Sequence, residues 1–515
     1  MSPTRSVRAA VLAACVLAGV AAPAAGADAP PRLLTPAQAR EDVLLAIGVA
    51  EAGLPDIHWH QSPGDWASAK ARALATAERA RDPMSVYVAV AELMNGIGEG
   101  HLTVRPAAAV AAHQRRTASL LPLDLHWSTE GIFVSAGHGD AADVPAGSRL
   151  LSIDGEREGE LLRELMALVE HDGRIATGAM RECPGSCYAV LRHRRRGAES
   201  AFALEYAPPA GGVVARIVAP HPMAQRTRAP ERERRRASLE WLAPGLAYLE
   251  VPSFSNRVYR DAGTTFRDEM RRLFEELHRG RAGRLILDLR ENGGGSEPNE
   301  SILFSFLVEA PLRKYRAVEA RGQRVSVASA SGQVFEQEVY DEDEIHFQRR
   351  TPDGRLARLD VPPEGLMSHW VPSAPVFSGK LVVLAGGRTF SGAAELASML
   401  HHVGRGAFVG EEVGGAHEGN TSGYVWRVTL PHSGVALGVP LLRFRFDWSG
   451  LPAGRGVRPH CDVPPRVEEI GTRRDRAWRV AREVALQDWQ APDRVSCPPL
   501  AAAGGAMRVG LTDRR

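Results

Sequence analysis

The chain has 515 residues, more than one hydrophobic core usually serves, so two to four domains are expected. Its composition, 44% hydrophobic and 24% charged, excludes global disorder and a collagen-like fibre. The formal net charge of +2 gives no reason to expect nucleic acid as a partner.

Residues 1–27 have the pattern of a bacterial signal peptide. Arg5 and Arg8 precede an apolar run, and Ala25-Gly-Ala27 fits the small-residue rule for cleavage. Leu12-Ala-Ala-Cys15 resembles a lipoprotein cleavage box, but only six residues separate Arg8 from the cysteine, so lipidation ranks below simple cleavage. No later segment has the roughly 18 apolar residues that a membrane span requires. We expect a periplasmic or secreted protein with no integral membrane span.

Segments of different pattern follow one another after the signal. Residues 28–115 are predicted to be mostly helical, with a capping box at Thr35, and residues 118–207 to form a small β-rich module with one helix. Residues 208–237 lack an apolar period and are predicted to be a linker. Residues 238–470 alternate strands with helices, which predicts a mostly parallel α/β domain, and residues 471–515 a C-terminal helix and tail.

Three polar segments have plain structural interpretations. Arg192 to Arg196 lies between strand-like runs and is predicted to be a solvated hairpin rather than a basic binding patch. The acidic run at 341–344 belongs to an apparent insertion over residues 320–372, and its charges are expected to be solvated. His58 and His60 have metal-like spacing but no third ligand nearby, which favours a structural role.

Four cysteines follow the predicted signal peptide: Cys183, Cys187, Cys461 and Cys497. In an oxidising compartment they are expected to form disulfides, and three connectivities are possible. We favour Cys183 with Cys187 and Cys461 with Cys497. A zinc site is the weaker alternative, because no second pair stands at zinc-finger spacing.

An apolar strand at 381–385 breaks at paired glycines and delivers Ser391 onto the first turn of a helix. A serine hydroxyl needs a neighbouring base, and donors for the oxyanion that its attack creates. A second apolar strand at 285–289 runs into Gly293-Gly-Gly295, whose backbone can approach a substrate closely. These two segments predict a nucleophile and part of an oxyanion hole.

Four segments together resemble the C-terminal processing, or tail-specific, serine peptidases. They are Leu285 to Gly295, Thr389-Phe-Ser-Gly-Ala-Ala-Glu395, Val409-Gly-Glu-Glu-Val-Gly-Gly415 and Gly456-Val-Arg-Pro459. The β-rich module is similar to the family's PDZ-like domain, and the stretch from Leu93 to Thr103 resembles the segment that precedes that domain. The resemblance implies an α/β fold with a crotonase-like catalytic core, an N-terminal helical segment and a small PDZ-like module.

The resemblance also bears on the catalytic base. Where the Ser-Lys branch of the family has its lysine, this chain has Ala416, so that dyad fails unless another lysine enters from elsewhere. The branch that includes the tricorn core protease and interphotoreceptor retinoid-binding protein is closer, and its histidine corresponds to His101. We predict His101 as the general base. His417, one residue beyond the missing lysine, is the reserve.

For the oxyanion, the resemblance implies the amide of Gly392 and one from the glycine run, for which Gly294 is chosen. The free amides of a helix N-terminus make the Gly392 position plausible independently. The tricorn branch has a glutamate before the terminal Gly-Val segment, and this chain has none there. Glu99 and Glu395 are the candidates to orient His101, and Glu395 has a structural alternative.

The sequence therefore predicts an exported serine endopeptidase that cuts polypeptides through an acyl-enzyme on Ser391 and needs no metal or organic cofactor. The PDZ-like module is expected to capture a peptide end by strand addition. One alternative is a non-catalytic protein that binds a peptide or apolar ligand on the same scaffold, since fold does not fix function. Another is an esterase of small acyl substrates.

Overall fold

A computed structural model describes residues 32–226, 235–339, 349–359, 367–448 and 450–499. The predicted signal peptide and the acidic run at 341–344 lie outside these ranges. No helix among the described residues is long and apolar enough to cross a membrane.

The described part of the chain begins with three helices, each opened by a side-chain cap and a proline in its first turn. Thr35 closes the predicted capping box, and Ser62 and Asp82 cap the next two helices. A short strand, a fourth helix and a two-residue strand follow. These elements are α1 (Pro36–Gly53), α2 (Pro63–Arg79), α3 (Pro83–Asn95), β1 (Thr103–Arg105), α4 (Ala108–Thr117) and β2 (Ser119–Leu120).

The β-rich module is built on one antiparallel sheet in the order β3-β4-β5-β7-β8, with β6 beside β5. It holds three helices rather than the one that was predicted. Cys183 and Cys187 form a disulfide between the second and third of these helices. The elements are β3 (Leu123–Ser128), β4 (Gly131–Gly137), β5 (Arg149–Ile153), β6 (Glu156–Arg157), α5 (Glu158–Leu168), α6 (Ala176–Glu182), α7 (Cys187–Arg196), β7 (Phe202–Ala207), β8 (Val214–Val218) and β9 (His221–Pro222).

Two sequence predictions in this region are wrong. Arg192 to Arg196 is not a hairpin but the last turns of α7, and Arg192 is buried because it pairs with Asp154, Glu156 and Glu199. Part of the predicted linker forms β8, which pairs antiparallel with β7. In both places contacts with other segments decide the structure, and the local composition does not indicate these contacts. Arg192 is buried because acidic side chains pair with it, and β8 forms because β7 pairs with it.

The α/β domain has a six-stranded sheet in the order β10-β11-β12-β20-β21-β24, parallel from β11 onward. One face packs on α9 and α11 and the other on α12, so side chains alternate between two buried clusters. The framework elements are β10 (Ser238–Ala243), β11 (Leu246–Glu250), α8 (Asn256–Arg260), α9 (Phe266–Arg279), β12 (Arg284–Asp288), α10 (Asn299–Ser305), β20 (Lys380–Ala385), α11 (Gly392–His402), β21 (Ala407–Gly410), β24 (Cys461–Asp462) and α12 (Arg476–Leu486).

A second sheet, in the order β1-β23-β14-β18-β17 with β22 also on β23, joins the N-terminal segment to this domain. Thr103 of β1 pairs with Gly438 of β23, which fixes the chain just after His101. The second disulfide, Cys461 with Cys497, is also as predicted. The remaining strands are β13 (Leu312–Arg313), β14 (Tyr315–Ala320), β15 (Arg324–Ala328), β16 (Val334–Glu338), β17 (Arg349–Arg350), β18 (Leu356–Ala357), β19 (His369–Trp370), β22 (Gly419–Thr429) and β23 (Ala436–Phe446).

Candidate active site

Ser391 lies on a sharp turn between β20 and α11, in the backbone conformation φ 53°, ψ −132°. Few non-glycine residues adopt this conformation, and it persists only where surrounding bonds fix it. The Thr389 hydroxyl accepts from the Gly386 amide (3.0 Å) and donates to the Leu289 carbonyl (2.9 Å). A strained strand-to-helix turn of this kind presents a serine as a nucleophile.

The glycine run meets this turn because β12 and β20 are adjacent parallel strands, and the loops after them leave the same edge of the sheet. A Cβ atom on Gly294 would lie 2.6 Å from the Cβ of Ser391, closer than two side chains can approach. Gly294 also has φ of +93°, where a side chain is strained. Only glycine therefore fits beside Ser391.

The amide of Gly294 is already occupied, because it donates to Oδ1 of Asn292 at 2.8 Å. Within the described residues the amides of Gly293, Gly295 and Gly392 donate no hydrogen bond. Gly294 therefore lets the two backbones lie close together at Ser391, and Gly293 and Gly295 are the better candidates for the second oxyanion donor. The Gly392 amide, at the first position of α11, remains available as expected.

His101 lies in the turn between α3 and β1, and its imidazole packs against the ring of Phe390 with 4.7 Å between ring centroids. The residue before the nucleophile thus touches the predicted base. Burial lowers the pKa of His101, while Asp172 and Glu395 oppose the shift. Its Nδ1 is buried without a hydrogen-bond partner among the described residues. The imidazole is therefore neutral near pH 7 and able to accept a proton.

Asp172, in the loop between α5 and α6, was not identified from the sequence. Its carboxylate accepts hydrogen bonds from the amides of Gly100 (2.7 Å) and Ala416 (3.1 Å), and its charge acts on His101. Gly100 has no room for a side chain, since a Cβ there would lie 2.8 Å from both Asp172 and Phe390. No local pattern marks Asp172, because its role depends on contacts 72 and 244 residues away.

Glu395 belongs to an ionic cluster, here called the Lys314 cluster, whose members are buried apart from Glu297: Lys314, Glu297, Glu300, Glu395, Tyr315 and Asn420. The ammonium of Lys314 lies 2.5 Å from Glu395, 2.6 Å from Glu300 and 3.2 Å from Glu297. Tyr315 (3.0 Å) and Asn420 (2.7 Å) also donate to Glu395. Glu395 is thus committed to this cluster, which supports the structural alternative for it.

A Ser-Lys dyad would need a lysine from another part of the chain. Lys314 lies beside Glu395, one helical turn after Ser391, but it is not free to act as a base. Burial alone would lower its pKa, yet the three carboxylates raise the pKa overall and hold the ammonium charged. The three glutamates converge as cation ligands do, and the lysine already supplies the cation. The arrangement therefore does not fit a metal ion.

The remaining predicted residues have other surroundings. Glu99 is buried, burial raises its pKa well above the usual range, and neither carboxyl oxygen meets hydrogen-bond geometry among the described residues. Asp172 and Glu395, and not Glu99, are the carboxylates whose charge acts on the pKa of His101. His417 is buried with its Nδ1 3.0 Å from Glu418 and 3.2 Å from the carbonyl of Arg455. His60 stacks on Trp59, as a structural histidine would.

Comparisons with known proteins agree with this architecture. Residues 245–463 match the model of peptidase family S41. No curated protein matches the chain. An alanine mutant of CPAF is similar in structure, with a TM-score of 0.59 at 14% identity over 88% of this chain and 99% of that chain. Mature CPAF (TM-score 0.56, 84% and 94%) and its complex with lactacystin (0.57, 84% and 95%) are each 16% identical. At these identities the likeness shows a shared fold.

Replacement of Gly294 by alanine is expected to disable the nucleophile. The added methyl would displace Ser391, and a displacement of about 1 Å can cost about 100-fold in rate. The rate of labelling by a fluorophosphonate probe measures the effect. Gly293→Ala is the matched control, since nothing lies within 4 Å of its added methyl. Equal labelling rates in the two variants would contradict this account of Gly294.

Lys314→Met is expected to lower the free energy of unfolding by about 3–5 kcal/mol, because it leaves buried carboxylates without their cation. The loss should shrink as the pH falls, since protonated carboxyls need no counter-charge. Denaturant unfolding followed by tryptophan fluorescence measures it. The control is Lys380→Met, whose ammonium pairs with the 90% exposed Asp488 and donates to the Gln487 carbonyl, and whose loss should be much smaller. Comparable losses in the two variants would contradict the assignment.

Proposed function

Because residues 245–463 place this chain in peptidase family S41, and so among the serine peptidases, we propose that it is an exported endopeptidase acting through Ser391 and His101. One observation carries the assignment of the two residues. The His101 ring packs on Phe390, and so lies beside the strained turn that holds Ser391. Two disulfides are consistent with an oxidising compartment outside the cytoplasm.

In the proposed reaction, neutral His101 accepts the Ser391 proton while the oxygen attacks the peptide carbonyl. The lowered pKa keeps the imidazole in its basic form at neutral pH. The bond between the carbonyl carbon and the amine nitrogen then breaks as the imidazolium gives its proton to that nitrogen. Water hydrolyses the acyl-enzyme by the same exchange, with the proton moving from water to His101 and then to Ser391.

The oxyanion is proposed to lie between the Gly392 amide and one of the free amides of Gly293 and Gly295. The N-terminus of α11 adds its dipole, which favours negative charge. Each such donor is worth about 10²–10³ in kcat in comparable enzymes. The carboxylate of Glu300 lies 3.4 Å from the Cβ position of Gly392, so Lys314 also screens the hole from nearby negative charge.

Asp172 is proposed as the positioning residue for His101. It holds the backbone on both sides of the site, through Gly100 and Ala416, and it stabilises the imidazolium that forms during catalysis. In this proposal a carboxylate from the β-rich module stands in for the glutamate that is missing before the terminal Gly-Val segment. The same module is proposed to capture the peptide end by strand addition.

Fluorophosphonate labelling is expected to vanish in Ser391→Ala and to fall by about 10²–10⁴ in His101→Ala, because the first removes the nucleophile and the second the base. Mass spectrometry of the labelled protein identifies the site. The control is His417→Ala, which should keep most of the labelling rate.

Three outcomes would contradict parts of this proposal. Loss of labelling in His417→Ala with little change in His101→Ala would move the base to His417. Folded wild-type protein without labelling would support the binding protein. Labelled enzyme that cleaves small esters but leaves denatured polypeptides intact would support the esterase.

Asp172→Asn is expected to move the acid limb of the kcat/KM profile to lower pH, because the negative charge of Asp172 raises the pKa of His101. It should also lower kcat, by up to about 100-fold, because one of two backbone anchors is lost. The control is Asp143→Asn in the same module, whose carboxylate is 74% exposed and pairs with Arg216. A lower kcat with an unmoved acid limb would leave Asp172 with a purely structural role.

A further inference from the structure

A cavity of about 410 Å³ lies on the far side of the His101 segment, between the N-terminal helices and the β-rich module. Arg72 of α2, Arg163 of α5 and Arg195 of α7 line it, together with Asn95 at the end of α3. Its volume falls in the range of small-molecule sites, about 300–1,000 Å³. The proposed catalytic steps make no use of it.

The cavity is strongly basic. Glu92 is the one carboxylate among its lining residues, and it already accepts a hydrogen bond from Arg195 at 2.7 Å. Arg72 and Arg163 are exposed, and their guanidinium groups have no hydrogen bond or ion pair within the part of the chain that the structure describes. Burial lowers the pKa of His60 and His171, which also line it, so both are neutral. The three arginines outnumber the one carboxylate, so the lining carries net positive charge.

The wall of this cavity is continuous with the proposed catalytic network. Gly98 and Gly173 line it, and the Gly173 amide donates to the Gly98 carbonyl at 2.9 Å. Gly173 directly follows Asp172, and Gly98 lies two residues before Gly100. The hydrogen bond from the Gly100 amide to Asp172 therefore joins the same two segments a second time. A ligand in the cavity would contact both segments at Gly98 and Gly173.

We propose that this cavity is an effector site for a small organic or inorganic anion carrying two or more phosphate or carboxylate groups. Guanidinium groups bind both kinds of oxyanion by paired hydrogen bonds. An anion held between α2 and α5 closes these helices on the Gly98 and Gly173 segments, which stiffens the support of His101 and speeds acylation of Ser391. The effector role rests on the proposed peptidase function, whereas anion binding does not.

The binding test uses calorimetry on full-length Ser391→Ala protein, with inorganic tripolyphosphate and citrate as separate titrants. We expect saturable binding of at least one of them, weakened at least tenfold by Arg72→Gln with Arg163→Gln. Arg427→Gln with Arg482→Gln is the matched control, since both arginines are exposed and lie outside the cavity lining. Binding of tripolyphosphate alone would identify a phosphate ligand, and binding of citrate would extend the class to carboxylates.

The effector test measures the rate of fluorophosphonate labelling of wild-type protein with and without the anion. We expect saturating anion to raise this rate at least twofold, and to do so equally in the Arg427 and Arg482 control. Absence of binding to both titrants, or equal binding after the loss of Arg72 and Arg163, would overturn the site. Binding without a rise in rate would overturn the effector role. Saturable binding to wild-type protein that takes no label would contradict the peptidase proposal and leave the anion site standing.

Discussion

The candidate site depends on one buried carboxylate that holds two distant backbones together. Asp172 accepts the amides of Gly100 and Ala416, and so joins the turn of His101 to the loop behind the nucleophile helix. Burial raises the pKa of Asp172, and the two amides and the charge of a protonated His101 oppose that shift, so these partners favour its charged form. The β-rich module therefore contributes a residue, Asp172, to the structure of the candidate site.

Buried charges in the surrounding core are likewise paired with groups of opposite charge or with hydrogen-bond donors. Lys314 pairs with three glutamates next to the first turn of α11, and Tyr315 and Asn420 donate hydrogen bonds to Glu395. Such clusters are costly to bury, and they retain a defined geometry only when each member is satisfied. Below Ser391 this geometry fixes the end of the helix whose amide is proposed to bind the oxyanion.

Local signals in the sequence predicted the features that depend on neighbouring residues. The turn at Ser391, the glycine run, the capping box at Thr35 and both disulfide pairs were all indicated before the structure. The errors occurred where distant partners decide the outcome. Arg192 looks solvated in the sequence, yet three acidic residues from other segments bury it, and β8 looks like a linker until β7 pairs with it.

The sequence by itself determined the α/β alternation, the serine on its strand-to-helix turn and the glycines after the neighbouring strand, because these follow from residue type, hydrophobic period and the steric freedom of glycine. Only the tertiary structure decided which groups meet there. It brought His101 to Phe390, bonded Asp172 to the turn that carries His101, and committed Glu395 to Lys314. Burial and long-range pairing set the charge of each group, and neither can be read from adjacent residues.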